Sequence, residues 1–344
     1  MYQKDEAMKK ILLDENKNFY KGNMHCHSNL SDGYYTPEEL KALYKGKGYN
    51  FLAITDHEFF VNHADLDDED FVTITSAEYA IKQFPEQSTL KNFNMKVCHL
   101  NLYAKKQDNN YCVCYNSVYD HYSTPELKAN FKLPETEEPR IYGSDGINKL
   151  ISDANEQGFF VCYNHPRWSL ENYGDYGGYE GLWGVEIYNH ACTVGGLYDY
   201  DINVFDDMLR DGKRIFASCG DDNHNNKEST RELHSGGAFV MVNADRLSYD
   251  SIIDGLLSGN FYSSMAPIIH SLYVEDGKVY IKCSDAKQIT YSTRGRRTAS
   301  VNSADGYVNE ACFEIKEADE YFRIDVIDEN GRRANTQAYF IAEL

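Results

Sequence analysis

No stretch of the sequence approaches the apolar length that a membrane-spanning helix needs. The opening segment MYQKDEAMKKILLDENKNFY also lacks the apolar centre of a secretory signal. These two absences predict a cytoplasmic protein with no membrane partner. Positive charge is scarce as well: 34 lysines and arginines face 54 aspartates and glutamates, giving a net charge of -20 distributed along the chain. Such a surface repels polyanions, which disfavours a nucleic-acid partner and weighs against a nuclease. Paired cysteine spacing is missing too. The nine cysteines form no CxxC pair, and Cys112 and Cys114 are too isolated for a zinc knuckle, so reduced, mostly buried thiols are expected. With only two tryptophans, an aromatic core or cleft must be built from the 28 tyrosines and 17 phenylalanines.

What is present is a repeated strand and helix grammar. At 344 residues the chain suits one large α/β domain with a small appendage. From residue 19 onward, apolar runs alternate with helical patterns, as in a parallel sheet with crossover helices. TPEELKALYKGKG predicts a helix with Thr36 as N-cap, Pro37 at the first position, Glu39 completing a capping box, and Leu40, Leu43 and Tyr44 as its buried stripe. Further helices carry Ile147, Leu150, Ile151 and Ala154, closing at Gly158, and Phe205, Met208 and Leu209, closing at Gly212. The runs FLAITDH, FFVCYNHP, WGVEIYN and RIFASCGDDNH each end in a polar cluster. In a parallel sheet or barrel these C-terminal strand ends share one side, so clusters distant in sequence converge. Residues 105–143 interrupt this rhythm with a polar, proline-containing excursion over the surface, readable as a lid or as a solvated insertion. After Gly259 the pattern changes to alternating short strands, KVYIKCS, QITYST, EACFEIK and YFRIDVIDENGRR. RGRR, at 294–297, reads as a solvated turn between them.

The polar strand ends hold the chemistry. In NMHCHSNLSDG, residues 23–33, strand geometry puts His25 and His27 on one face with Cys26 on the other, and Asp32 follows closely. Two imidazoles backed by a carboxylate suit a divalent metal, though the triplet alone is equally readable as surface histidines beside a turn. The other strand ends supply Asp56 and His57, Glu78, His99, His165, and Asp222 with His224. This nitrogen and oxygen inventory, free of cysteine, points to a catalytic site with open positions rather than a closed structural one.

These segments resemble the motifs of the PHP superfamily, named for polymerase and histidinol phosphatase. HCHSNLSDG matches the first motif, TDH at 55–57 with Glu78 and His99 the second, NHP at 164–166 the third and DNH at 222–224 the fourth. The tail, GNFYSSMAPII followed by RIDVIDENGRRANTQAYFI, is similar to the small β domain of stand-alone bacterial members near the carbaryl-esterase-like branch. The resemblance implies an α/β fold: a distorted seven-stranded (β/α) barrel over 1–265, with an insertion at about 105–143, and a small all-β sheet or sandwich over 266–344. It also implies two or three divalent ions, zinc, manganese or iron, in a trinuclear site. His25, His27, Glu78 and Asp222 would hold the first, Glu78 would bridge to a second on His99 and His165, and Asp32, His57 and His224 would hold a third. Asp56 would orient a ligand. Where the family commonly carries serine this chain has Asp221, which would deepen the negative field, bind a metal or turn away into a helix cap.

Bound ions lower the pKa of water from about 15.7 toward about 7 and neutralise phosphoryl oxygens that so acidic a chain would repel. The expected function is therefore a metal-dependent phosphoesterase in which a metal-activated hydroxide hydrolyses a small phosphorylated molecule. His224 or His190 would assist the leaving group. Arg167 reads equally as a phosphate clamp and as a surface ion pair, while for His190 and Asn189 capping or packing competes with a place in the pocket. Glu186 is expected as a buried partner, and His63, His121, His234 and His270 as ordinary histidines. The alternatives are a PHP exonuclease or oligonucleotide phosphatase, a carboxylic ester or amide hydrolase, and a non-catalytic metal-binding protein. The β appendage would close one side of the barrel or mediate assembly into a homo-oligomer.

Overall fold

The computed structural model describes residues 9–84, 94–226 and 233–344. The chain divides into two compact units, a larger one formed by Tyr20–Val240 and Leu247–Asp254, and a smaller one formed by the chain up to Phe19, Met241–Arg246 and Gly255–Leu344. Strands β1 (Lys10–Leu13) and β2 (Asn18–Asn23) come first.

In the larger unit, β2 is followed by β3 (Phe51–Ile54), β4 (Val72–Lys82), β5 (Val97–Ala104), β6 (Phe159–Tyr163), β7 (Gly184–Asn189) and β8 (Phe216–Gly220), hydrogen-bonded in sequence order. β3, β6 and β7 are buried at every position, as continuous apolar runs covered on both faces should be. Pairing is parallel except at β5, which runs antiparallel to both β4 and β6. The sequence grammar predicted a parallel sheet, and β5 departs from it: antiparallel pairing sets His99 opposite Ala80 and its Nδ1 3.0 Å from the Glu78 carboxylate. The reversal places the beginning of β5, with His99, beside the C-terminal ends of the other strands.

Beyond their C-terminal ends β2 and β8 meet. Cys26 and Asn223 form a parallel bridge, the His27 N–H donates to the Asn223 carbonyl (3.1 Å) and the Asp222 N–H to the His25 carbonyl (2.9 Å). Gly220 permits this approach, because a Cβ there would lie 2.4 Å from the His25 Cβ. The unit is thus a mixed α/β structure with a large sheet and few helices.

The helices follow the sequence reading closely. α1 (Pro37–Gly46) has the Thr36 and Glu39 capping box, with Leu40 and Tyr44 buried and Leu43 half-buried. After the short α2 (Pro125–Lys128), α3 (Ser144–Glu156) buries Ile147, Leu150, Ile151 and Ala154. Past α4 (Tyr173–Tyr176) and α5 (His190–Val194), α6 (Ile202–Arg210) buries Phe205, Met208 and Leu209. α7 (Tyr249–Leu257) comes later in the chain.

Residues 105–143 are more than a surface excursion. Cys112, Val113, Tyr115, Tyr119 and Phe131 are buried, and Arg140 enters the interior. Its guanidinium pairs with Glu58 (2.5 Å), donates to the carbonyls of Ala80 and Cys114 (3.0 Å each), and lies over the rings of Tyr79 and Tyr119. Arg140 thereby ties the insertion to β4 and to the residue following His57.

The strand β9 (Phe239–Ala244) spans the division in sequence. The smaller unit adds β10 (Phe261–Ser264), β11 (Ile269–Glu275), β12 (Lys278–Ala286), β13 (Gln288–Thr293), β14 (Thr298–Asn302), β15 (Val308–Glu314), β16 (Tyr321–Ile327), β17 (Arg333–Thr336) and β18 (Tyr339–Phe340). One antiparallel sheet is ordered β1-β11-β12-β15 and contains the distant N-terminal strand. A second includes β14-β13-β16-β17-β10, with β18 on β16. β13 alternates buried and half-buried positions, the period-2 pattern of a strand covered on one face. The RGRR segment is a turn, but the TASVN that follows it is strand β14. Arg294 and Arg297 pair with Glu320 and Asp319, which removes them from any basic patch.

Arg140→Met leaves the Glu58 carboxylate buried without its partner and should cost about 3–5 kcal/mol of stability. In urea unfolding, the double variant with Glu58→Gln should recover part of that loss.

Candidate metal centre

The converging strand ends place Glu78 among imidazoles. Its carboxylate oxygens lie 3.3 Å from His25 Nε2, 3.4 Å from His27 Nε2, 3.3 Å from His57 Nδ1, 3.0 Å from His99 Nδ1 and 3.1 Å from His165 Nε2. Asp222 is the second hub, with Oδ1 3.3 Å from His25 Nε2 and 3.1 Å from His27 Nε2. Asp32 is the third, 3.6 Å from His27 Nδ1, 3.5 Å from His57 Nε2 and 3.3 Å from His224 Nε2. All nine residues read from the sequence as ligands are therefore brought together. Three sets have ligand atoms close enough to share an ion: His27, Asp32, His57 and His224; His25, Glu78 and His165; and His25, His27 and Asp222.

The donor set fits divalent ions. Asp222 Oδ1 and His27 Nδ1 are buried without a hydrogen bond, although each has a ligand-type atom of opposite charge preference nearby. Mixed imidazole and carboxylate donors suit zinc, manganese and iron alike. Outer contacts fix ring and carboxylate orientation. Glu186 lies 3.0 Å from His25 Nδ1 and accepts the His165 N–H (3.0 Å). The Asp222 carbonyl is 3.0 Å from His224 Nδ1. Asn164 donates to Glu78 (2.8 Å), and Asn189, which also caps α5, donates to Asp222 (3.1 Å).

The electrostatics follow from proximity. Burial opposes protonation of His27, but the Asp222 and Glu78 carboxylates beside its Nε2 outweigh it and raise the pKa to about 10. His25 is likewise raised, with Asp222, Glu78 and Glu186 overcoming its burial. Burial works against ionisation of Asp32 too, yet His224 and His57 hold it well below the usual carboxylate range. His99 is the exception: burial dominates and lowers it to about 4 despite Glu78.

Three expectations change. Asp221 does not join the cluster: it accepts the backbone N–H groups of Gly236 (2.6 Å), Gly237 (3.0 Å) and Ala238 (2.8 Å) and the Tyr44 hydroxyl (2.8 Å), and so clamps a loop. Asp56 braces the 28–31 turn rather than a histidine, accepting from Ser28 N (2.9 Å), Ser28 Oγ (2.5 Å) and Ser31 Oγ (2.5 Å). His190 and Arg167, expected to assist the leaving group and to clamp phosphate, are not among the described residues that line the cavity. His190 has both ring nitrogens engaged, by the Tyr188 hydroxyl (3.0 Å) and the Leu233 carbonyl (3.1 Å), and Arg167 is exposed where the chain turns after Pro166.

A cavity of about 580 Å³ opens over the cluster. Besides the ligands its wall includes Glu58, Lys82, Tyr122, Trp168 and Leu197. Sequence reasoning missed these because each sits one or more residues outside a motif. Trp168, in the turn that follows NHP, and Tyr122, in the insertion, carried the only usable signal: aromatics next to chemistry-bearing segments. His121 and His234, expected to be ordinary, also line the cavity.

Comparison with protein-family models gives no match, and comparison with curated proteins gives none. Among solved structures, the chain is similar to a two-domain protein from Bacteroides vulgatus described as containing a predicted PHP-like metal-dependent phosphoesterase, at 14% identity and TM-score 0.45 over 99% of both chains. It is also similar to a protein from Bifidobacterium adolescentis described as a metal-dependent phosphoesterase, at 14% identity and TM-score 0.36 over 59% of this chain and 87% of that one. A third is an amidohydrolase from Chromobacterium violaceum with bound sulfate and no metal, at 14% identity and TM-score 0.37 over 70% of this chain and 96% of that one. With scores this low, any functional reading has to stand on the cluster itself.

Metal binding needs neutral imidazoles, whereas a histidine raised to about 10 carries its proton at every pH below that value. Metal loading at pH 8 should therefore release about one proton or more, release from His27 should fade above about pH 10, and affinity should fall as pH falls. Calorimetry in buffers of different ionisation enthalpy reads this directly. Elemental analysis separates the adjacent aspartates: Asp222→Asn should lose bound metal, whereas Asp221→Asn should keep it and lose about 1–3 kcal/mol of stability.

Proposed function

We propose that the chain is a metal-dependent hydrolase of PHP type that cleaves phosphoric esters of small molecules, using two or three divalent ions held by the cluster. The observation that carries the proposal is the buried Glu78 carboxylate, which five imidazoles approach within 3.4 Å at the floor of an open cavity. We read β2 to β8 as the seven-stranded barrel of that family, and the bridge between Cys26 and Asn223 supports this.

Bound divalent ions would supply a hydroxide at neutral pH and charge to offset phosphoryl oxygens. The chain's own residues provide the rest. His25, Glu78, His165 and His99 would hold one side of the site, and Asp32, His57 and His224 the other, with His27 and Asp222 between them. Glu186 and the Asp222 carbonyl keep His25 and His224 with their Nε2 atoms toward the carboxylates. Asn164 and Asn189 fix the rotamers of Glu78 and Asp222. The net charge of -20 over the chain disfavours a polyanionic nucleic-acid substrate.

The test is hydrolysis by metal-analysed protein across phosphomonoesters, phosphodiesters, oligonucleotides and carboxylic esters. Small phosphate esters should be turned over, chelation should abolish turnover, and zinc, manganese or iron should restore it. Glu78→Gln and His165→Ala should each lose about 100-fold or more, and Asn189→Ala about 10- to 100-fold. Undiminished turnover by chelated protein or by Glu78→Gln would refute the proposal, and turnover of carboxylic esters alone would move the activity to carbonyl carbon.

A further inference from the structure

The ligand histidines account for only part of the cavity wall. Tyr122 and Trp168 also line it, and they remain 38% and 42% exposed. A single exposed aromatic is ordinary, but two at one cavity leave considerable apolar surface in water where a ligand could cover it. Tyr122 stacks on His57 with centroids 5.9 Å apart and planes 19° from parallel. Trp168 lies 5.0 Å from both His99 and His165, and His57 and His99 are themselves neighbours at 5.8 Å. The two rings therefore border the histidine cluster next to the place where a scissile group would sit.

The turns that carry both rings are tied down. Asp120 closes the turn carrying Tyr122: it accepts from the Ser123 N–H (3.0 Å), the Ser123 hydroxyl and the Tyr115 hydroxyl (2.6 Å), and pairs with Lys128 (3.0 Å). In the turn carrying Trp168, the Ser169 N–H donates to the His165 carbonyl (3.1 Å). Glu171 at its end accepts the hydroxyls of Tyr142 (2.7 Å), Tyr163 (2.6 Å) and Tyr179 (2.6 Å). Rings carried on tied turns and packed against the His57, His99 and His165 imidazoles lose little entropy when a ligand stacks on them. Flat aromatic faces reward a planar partner over a puckered one of equal size.

Building on the hydrolase reading, we infer that Tyr122 and Trp168 are specificity residues that receive a planar ring of the substrate, so that preferred substrates carry an aromatic group beside the bond that is cut. The 105–143 insertion then serves the metal site directly, because Arg140 and Asp120 fix it in the position that presents Tyr122 there.

Calorimetric titration of the metal-loaded full chain with benzylphosphonate, cyclohexylmethylphosphonate, phenylacetate and cyclohexylacetate tests this. Cyclohexyl is the more hydrophobic of each pair, so a wall that is merely apolar prefers it. The inference predicts the opposite, benzyl over cyclohexylmethyl by about 3- to 10-fold. That ratio should fall to near unity in Tyr122→Ala and Trp168→Ala and survive in Tyr122→Phe and Trp168→Phe. Equal or reversed preference in the parent protein, or a ratio unchanged in both alanine variants, overturns the ring site. If neither phosphonate binds while phenylacetate shows the preference, the ring site stands and the phosphoester reading falls. Failure of all four ligands to bind overturns both.

Discussion

A carboxylate removed from water must be compensated or it takes up a proton, and Glu78 is such a carboxylate. It lies in β4, a strand whose first ten positions are buried, and only 1% of it is exposed, at the floor of the cavity. Burial alone would raise its pKa, yet the surrounding histidines, His99 and His25 foremost, hold it well below the usual range. The imidazoles need the acid as much as it needs them. Strand order, the reversal of β5, the bridge between Cys26 and Asn223 and the missing side chain at Gly220 all serve to bring those rings within reach of one carboxylate.

Much of this was legible in the sequence because the ligands stand at strand ends, where period-2 geometry and apolar runs are unambiguous. His25 and His27 share a face because they are two apart, and TDH, NHP and DNH follow buried runs that could hardly be anything but strands. Helices α1, α3 and α6 were equally readable, since caps and apolar stripes are local signals. Strand direction is not local. Nothing within VCHLNLYA says that it runs against its neighbours, so the reversal of β5 emerges only from pairing.

The departures among single residues have a common cause. A side chain's rotamer decides whether a residue beside a motif faces the cavity, and sequence order does not encode it. Asp221 and Asp222 are adjacent, yet one clamps the backbone of residues 236–238 and the other faces two histidines. Arg167 and Trp168 are adjacent, and it is the aromatic that lines the cavity. The insertion was hardest to read because its composition is polar while its function in the fold depends on a few buried residues, Arg140 above all.

If the histidines and carboxylates around Glu78 form a multinuclear metal centre, the ions themselves must be visible there. Anomalous diffraction from crystals of metal-loaded protein, collected on either side of the absorption edge of the bound element, tests this most directly. Two or three peaks are expected, with Glu78 touching at least one and the Asp32, His57 and His224 group holding another. Absence of any peak at Glu78 in protein shown to contain metal would contradict it.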